Sequence, residues 1–433
     1  MNSPQTPSAK AFQTYGTAAT VYSTGAKLVP GATVFFSAGD LAPDPSGDTK
    51  KQAQDAMESL KGTLAEAGFS LSDVVFVRAY LAPDKSGKAD YAGWNAAWNT
   101  VFNHPGHPHK PARTTVAVPL LGNSGHLIEI EFVCAAAASA KMAAGSAALK
   151  LPSTNPRLTP YGTKEGRIYD GMGILPGTGL YWTSGMVRKK DCRPAAPGES
   201  ETYVQSVSTL ENLAENLGRM GLSFKDIVYL RAFLAPDASR GGKFDYEGWN
   251  RAFDEFFNLP KNPHKPARTT ITTPTYGMTP PLVNEIEVIA AFPGATDIFS
   301  QPDAGNANLR TYAAPEAQIA SGVGLKAGAA LFFSAGHVAD SGTTMKEQSL
   351  SALAKLKATL EAAGVGFKDV IFLRAYITVE ADGSLDRAGW SEAYHTCFNF
   401  PGQPHKVART TIAVHSLPRP ECKIEIDVIA AVA

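Results

Sequence analysis

The chain has 433 residues, of which 44% are hydrophobic and 18% charged, a composition that excludes a disordered polymer and, at about 150 residues per domain, suggests three domains. Its 40 Lys and Arg are balanced by 40 Asp and Glu, so there is no net field to gather nucleic acid or an acidic membrane. No apolar run reaches the roughly 18 residues needed to span a bilayer, which argues against a membrane partner.

In chain order, the polar opening MNSPQTPSAK lacks a basic n-region and an apolar h-region, so a cytoplasmic protein is expected. Val21 to Leu28 reads as a first strand and Thr33 to Ser37 as a second. Thr49 to Ala67 places Ala53, Ala56, Met57, Leu60 and Leu64 at helical spacing and stops at Gly68. Asp73 to Leu81 is a strand, Tyr91 to Phe102 a second helix, and Arg113 to Val118 and Leu127 to Val133 are strands. The order ββαβαββ describes a two-layer α+β unit.

The string HKPARTT at 109–115 recurs at 264–270 and, with Val407 for Pro, at 405–411; Gly-Trp pairs at 93, 248 and 389 keep step. Units this long are domains with their own cores rather than solenoid modules. The expected ranges are 12–135, 158–293 and 309–433, joined by linkers over Ala135–Pro160 and Pro293–Arg310.

Strand alternation groups Arg113 with Thr115, and Glu129 with Glu131 opposite Ile128, Ile130 and Phe132. A face this polar must meet water, a cleft or another domain. Arg78, Arg231 and Arg374 are expected to pair with Glu131, Glu287 and Asp427 where three sheets meet. Arg113, Arg268 and Arg409 each open a strand, where a guanidinium fork can grip a bound carboxylate or, equally, pair with Glu129 and its counterparts.

These motifs, PARTT, the IEIE last strand and the small-residue-Gly turn, resemble the RidA/YjgF family of enamine and imine deaminases. The resemblance implies three tandem chorismate-mutase-like domains forming an intramolecular pseudo-trimer, helices outside and clefts between neighbours, acting as a monomer. It implies an arginine holding the substrate carboxylate (Arg113, Arg268, Arg409) and a glutamate activating water (Glu129, Glu285, Glu425). Tyr169, Ser184, Gly185, Asn250 and Thr270 would complete repeat 2, and Tyr22, Gly39, Asn95 and Thr115 would serve repeat 1. Repeat 1 departs at Ala38, where the serine would stand. Repeat 3 departs at Ile319, Ala335 and Ser391. The position two after the arginine, often cysteine in this family, is threonine in all three repeats, including Thr411. A cleft built around Arg268 and Glu285 is therefore expected to be the most deaminase-like.

The implied activity is cofactor-free hydrolytic deamination of small enamine or imine acids. Capture of small carboxylate metabolites without turnover, or hydrolysis of a larger ring-derived metabolite, stands beside it. His104, His107 and His109 read as a solvated loop rather than a metal site, and no metal is expected. The histidine at 109, 264 and 405 is expected to brace the loop before each arginine. Trp94, Trp249 and Trp390 read as core anchors. Cys134, Cys192, Cys397 and Cys422 have no framework spacing and read as free thiols.

Overall fold

The computed structural model describes residues 11–15, 22–121, 125–136, 155–161, 167–175, 177–257, 259–276, 281–293, 306–313, 317 and 320–432. Repeat 1 runs β1 (Phe12–Tyr15), β2 (Gly25–Leu28), β3 (Thr33–Ser37), β4 (Asp40–Leu41), α1 (Thr49–Glu66), β5 (Val74–Leu81), α2 (Tyr91–Val101), β6 (Ala112–Ala117) and β7 (Ile128–Ala136). Repeat 2 follows with β8 (Leu158–Tyr161), β9 (Gly171–Ile174), β10 (Leu180–Thr183), α3 (Glu201–Gly218), β11 (Ile227–Leu234), α4 (Tyr246–Asp254), β12 (Ala267–Thr272) and β13 (Asn284–Ala291). Repeat 3 comprises β14 (Leu309–Tyr312), β15 (Gly322–Leu325), β16 (Leu331–Ser334), β17 (His337–Val338), α5 (Met345–Ala362), β18 (Val370–Thr378), α6 (Arg387–Tyr394), β19 (Ala408–Val414) and β20 (Ile424–Ala431). The protein is therefore α+β, three tandem two-layer units around a pseudo-threefold axis. Among the described residues no helix is long and apolar enough to cross a membrane.

Local chemistry sets the helix ends. Asp48, Ser200 and Thr344 cap the long helices by accepting the N–H three residues on, and Asp90, Asp245 and Asp386 do the same for the short ones. The accepting carboxylate of each short helix lies against Gly93, Gly248 or Gly389, where a Cβ would collide with it. Glycine in each Gly-Trp pair is thus a packing requirement of the cap.

The sheets do not follow the repeats. β6, β5, β7 and β3 of repeat 1 are extended by β9 and β8 of repeat 2, with Val34 opposite Ile174 and Ser37 opposite Gly171. Repeat 2 is extended in the same way by β15 and β14 of repeat 3. The sheet of repeat 3 is closed by β2 and β1, with Phe332 opposite Lys27 and Ser334 opposite Gly25. The first strands of each repeat therefore leave their own unit and complete the preceding one, cyclically. The expected ββαβαββ order also gains β1 and the short β4. The stretch read as the first linker loses its ends to β7 and β8, with residues 137–154 lying outside the described residues. At the far ends of both linkers a buried asparagine is anchored: Asn155 donates to Asp226 at 3.0 Å and Asn306 to Asp369 at 2.8 Å.

One face of each sheet lies under its own helices; Ile128, Ile130 and Phe132 pack there with Met57, Leu60, Trp94 and Trp98. The other face looks at the axis in three layers read along β5, β11 and β18. Phe76, Tyr229 and Phe372 belong to one shared apolar cluster, Tyr80, Phe233 and Tyr376 to another, and between them stand Arg78, Arg231 and Arg374. The middle layer is a closed ring of alternating charge. Arg78 pairs with Glu131 (2.7 Å) and Asp427 (3.0 Å), Arg231 with Glu287 (2.5 Å) and Glu131, and Arg374 with Asp427 (3.4 Å) and Glu287. Every acid thus bridges two repeats, as the pairing of Arg78, Arg231 and Arg374 with Glu131, Glu287 and Asp427 anticipated.

Candidate active site

Each cleft is assembled from two repeats, and the partners are not those of one sequence copy. The Gly39 N–H donates to the Arg268 carbonyl (3.4 Å), the Gly185 N–H to that of Arg409 (3.2 Å) and the Gly336 N–H to that of Arg113 (3.1 Å). Arg268 accordingly shares electrostatic contact with Glu129, Arg409 with Glu285 and Arg113 with Glu425. The expected cleft of Arg268 with Glu285 does not exist, because the two residues face different neighbours. A bridge between Arg113 and Glu129 is absent for the same reason. Ser184 and Gly185 serve the Arg409 cleft. The Ser184 hydroxyl is occupied with main chain there, accepting from the Arg409 N–H (2.7 Å) and donating to the Ala320 carbonyl (2.5 Å).

The turn glycine makes room for the carboxyl. A Cβ on Gly39, Gly185 or Gly336 would land on the side chain of Glu129, Glu285 or Glu425. Each glutamate is at most 9% exposed, and burial pushes its carboxyl up to about 8 against the pull of nearby arginines. Near neutral pH each cleft thus holds a largely neutral acid able to give a proton and, once ionised, to take one.

Opposite it lies a guanidinium with spare donors. Arg113 donates from Nη2 to Asn95 Oδ1 at 2.7 Å and Arg268 to Asn250 Oδ1 at 2.9 Å, and both are stacked on aromatic rings. Arg113 lies 4.6 Å from the Tyr22 centroid and 4.8 Å from that of Trp98; Arg268 lies 4.6 Å from Phe253, and Arg409 4.5 Å from Tyr394. In all three arginines Nη1 is buried and, among the described residues, has no hydrogen-bond partner. Burial lowers the pKa of Arg113 and Arg268 to about 10. An orphaned donor on a buried cation is costly unless a ligand completes it, and a carboxylate has the matching geometry.

The threonines have a definite task. The indole N–H of Trp94, Trp249 and Trp390 donates to Thr115, Thr270 and Thr411 at 3.0, 3.0 and 3.1 Å, so the core anchors also hold the wall beneath each arginine. His109, His264 and His405 donate from Nε2 to the carbonyls of Val74, Ile227 and Val370 at 2.5 to 2.6 Å, the residues at which a bulge shifts the strand register. They brace the approach to the arginine. Among the described residues no group of three or more His, Cys, Asp or Glu could hold a metal ion.

Tyr169 is misplaced by one residue in the sequence reading. Tyr169 bridges to Ala267 as Ser23 does to Ala112, so Ile168 is the counterpart of Tyr22. Tyr169 turns away from the cleft, with its ring against His264 and Lys265. The equivalent Ile319 lies outside the described residues. The cleft of Tyr22, Asn95, Arg113 and Glu425 therefore carries the fullest set. Arg387, which shares electrostatic contact with both Glu285 and Arg409, is not among the expected site residues. Its signal was available, since repeats 1 and 2 have Tyr91 and Tyr246 at that position.

The family model described as Endoribonuclease L-PSP matches residues 14–136 and 313–432, on either side of the middle repeat. Among curated proteins, a RutC family protein of Pyrococcus horikoshii is 36% identical over 104 residues, 23% of this chain and 75% of the relative, and one of Pyrococcus abyssi matches equally. Among solved structures, a member of the YjgF protein family from Neisseria meningitidis is 24% identical over 29% of this chain and 95% of its own, with a TM-score of 0.21. E. coli TdcF, solved with bound serine, is 25% identical over 24% of this chain and 81% of its own, with a TM-score of 0.21.

Proposed function

Because the chain belongs to the Endoribonuclease L-PSP family, known also as RidA/YjgF, we propose that its inter-repeat clefts hydrolyse small enamine or imine acids to 2-keto acids and ammonia. The observation that supports this is the pairing, three times over, of a buried arginine whose Nη1 is unpartnered among the described residues with a buried glutamate from a neighbouring repeat, whose carboxyl burial raises to about 8. The substrate carboxylate completes the guanidinium fork. The glutamic acid delivers its proton to the enamine carbon or imine nitrogen, and the resulting carboxylate takes a proton from the water that attacks the C=N carbon. The regenerated carboxyl then protonates the amino group of the tetrahedral adduct and, as the carboxylate, takes the hydroxyl proton while C=O forms and ammonia leaves, so one water is consumed and the carboxyl is restored. No cofactor is invoked.

The test is ammonia release from 2-aminoacrylate generated in situ. The full chain is expected to speed its decay well above the buffer rate, and Arg113→Ala combined with Arg268→Ala and Arg409→Ala to abolish that gain. Decay at the buffer rate with 2-ketobutyrate still bound would replace this reading by carboxylate capture.

A further inference from the structure

Each cleft has one additional arginine at its edge, and the three differ in how that charge is matched. Arg419, which acts on Tyr22 in the Arg113 cleft, reaches Asp340 at 3.3 Å. Arg167, beside Arg268, holds Asp254 at 2.8 Å. Arg387 has no carboxylate within ion-pair distance among the described residues. Its Nη2 donates to the Tyr276 carbonyl at 3.0 Å, while Nε is buried without a partner.

Arg387 is the first residue of α6 and Arg409 lies near the start of β19, and each feels the other's charge as well as that of Glu285. Two like charges in one partly buried space repel, and a bound anion offsets that cost. Arg409 also lacks the asparagine that accepts from Arg113 and Arg268, since Ser391 stands in its place. Among the described residues the cleft thus offers two arginines with no carboxylate at ion-pair distance where its siblings offer one.

We propose that the cleft of Arg387, Arg409 and Glu285 is a dicarboxylate site, Arg409 taking the carboxylate next to the reacting carbon and Arg387 the distal one. The other two clefts take monocarboxylates. The inference rests on reading the clefts as carboxylate sites, but not on turnover.

Isothermal titration calorimetry of the full chain with 2-oxoglutarate and with 2-ketobutyrate tests it. One site per chain is expected to bind 2-oxoglutarate about tenfold or more tightly than 2-ketobutyrate, the size of one charge-assisted hydrogen bond. Arg387→Tyr, which installs the residue type found at Tyr91 and Tyr246, should abolish that preference, while 2-ketobutyrate binding at the Arg113 and Arg268 clefts is retained. Arg387→Lys should retain part of it. Equal affinity for the two ligands, or a preference that survives Arg387→Tyr, overturns the proposal. Ammonia release measured on the same samples separates the two readings. A dianion preference without turnover supports the dicarboxylate site and sinks deamination, and turnover without the preference does the reverse.

Discussion

Arg268 faces Glu129 of the preceding repeat, while Glu285 of its own repeat faces Arg409. Functional units therefore run across the sequence copies. In ammonia-release assays Arg268→Ala and Glu129→Gln are expected to remove the same cleft's share, so the double variant should be no worse than either single one. Arg268→Ala with Glu285→Gln strikes two clefts, and its losses should add. Additivity of the first pair would contradict the assignment.

The three cleft glutamates make the fold sensitive to alkali. Their carboxyls sit at about 8 in the fold against 4.5 in the open chain, so between those values the native state holds protons that the unfolded state has lost. Their contribution to stability is complete below about pH 4.5 and drains away as pH rises through about 8. Glu129→Gln should be neutral near pH 5 and stabilising at pH 9, by on the order of 1–3 kcal/mol. Thermal melting across pH checks this, and a gain larger at pH 5 than at pH 9 would refute it.

The axial ring works in the opposite sense. Arg231 and Arg78 hold the Glu131 carboxyl down at about 2 against its desolvation, so its contribution is present above about pH 4.5 and is lost as pH falls toward 2. Arg231→Met leaves Glu131 with Arg78, Tyr229 and Thr269, and Glu287 with Arg374. Removing one partner from a buried network costs roughly 3–5 kcal/mol, which urea denaturation would register as a lower midpoint. An unchanged midpoint would mean that the ring is not a stabilising contact between repeats.

Gly39→Ala should unseat Glu129 without unfolding the protein. The added Cβ lands on the Glu129 side chain and comes within 2.6 Å of Thr269 Oγ1, and displacement of the carboxyl with a small turn of that hydroxyl is the simplest relief. Activity of that cleft should fall by an order of magnitude or more while the melting temperature moves little, since a misplaced general acid loses most of its roughly 100-fold or greater advantage. Retained activity in a variant that has lost the Arg113 and Arg409 clefts would count against the placement of Glu129.

Much of the fold is legible along the chain, and much of the site is not. The helix expected over Thr49–Ala67 ends one residue sooner, and the strand expected over Asp73–Leu81 begins one residue later, because apolar period and caps are local signals. Pairing of β2 with β16 has no local signal, since an alternating strand presents the same faces whichever neighbour it joins. The link between Arg113 and Glu425 is hidden in the same way, behind some three hundred intervening residues. Tyr169 shows how a single-residue slip sends a side chain to the opposite face. Arg387 lies outside the shared motifs, and its departure from the tyrosine of Tyr91 and Tyr246 is what carries the information.

The docking of β1 and β2 on β16 has a consequence for biosynthesis. The hairpin is synthesised about three hundred residues before Leu331–Ser334, so it must wait for the strand it pairs with. Until then the nascent chain carries a free donor hairpin, and once β16 is made it carries the matching vacant edge. The hairpin of one copy fits the β16 edge of another as well as its own, so self-closure competes with linking between copies in proportion to their local concentration.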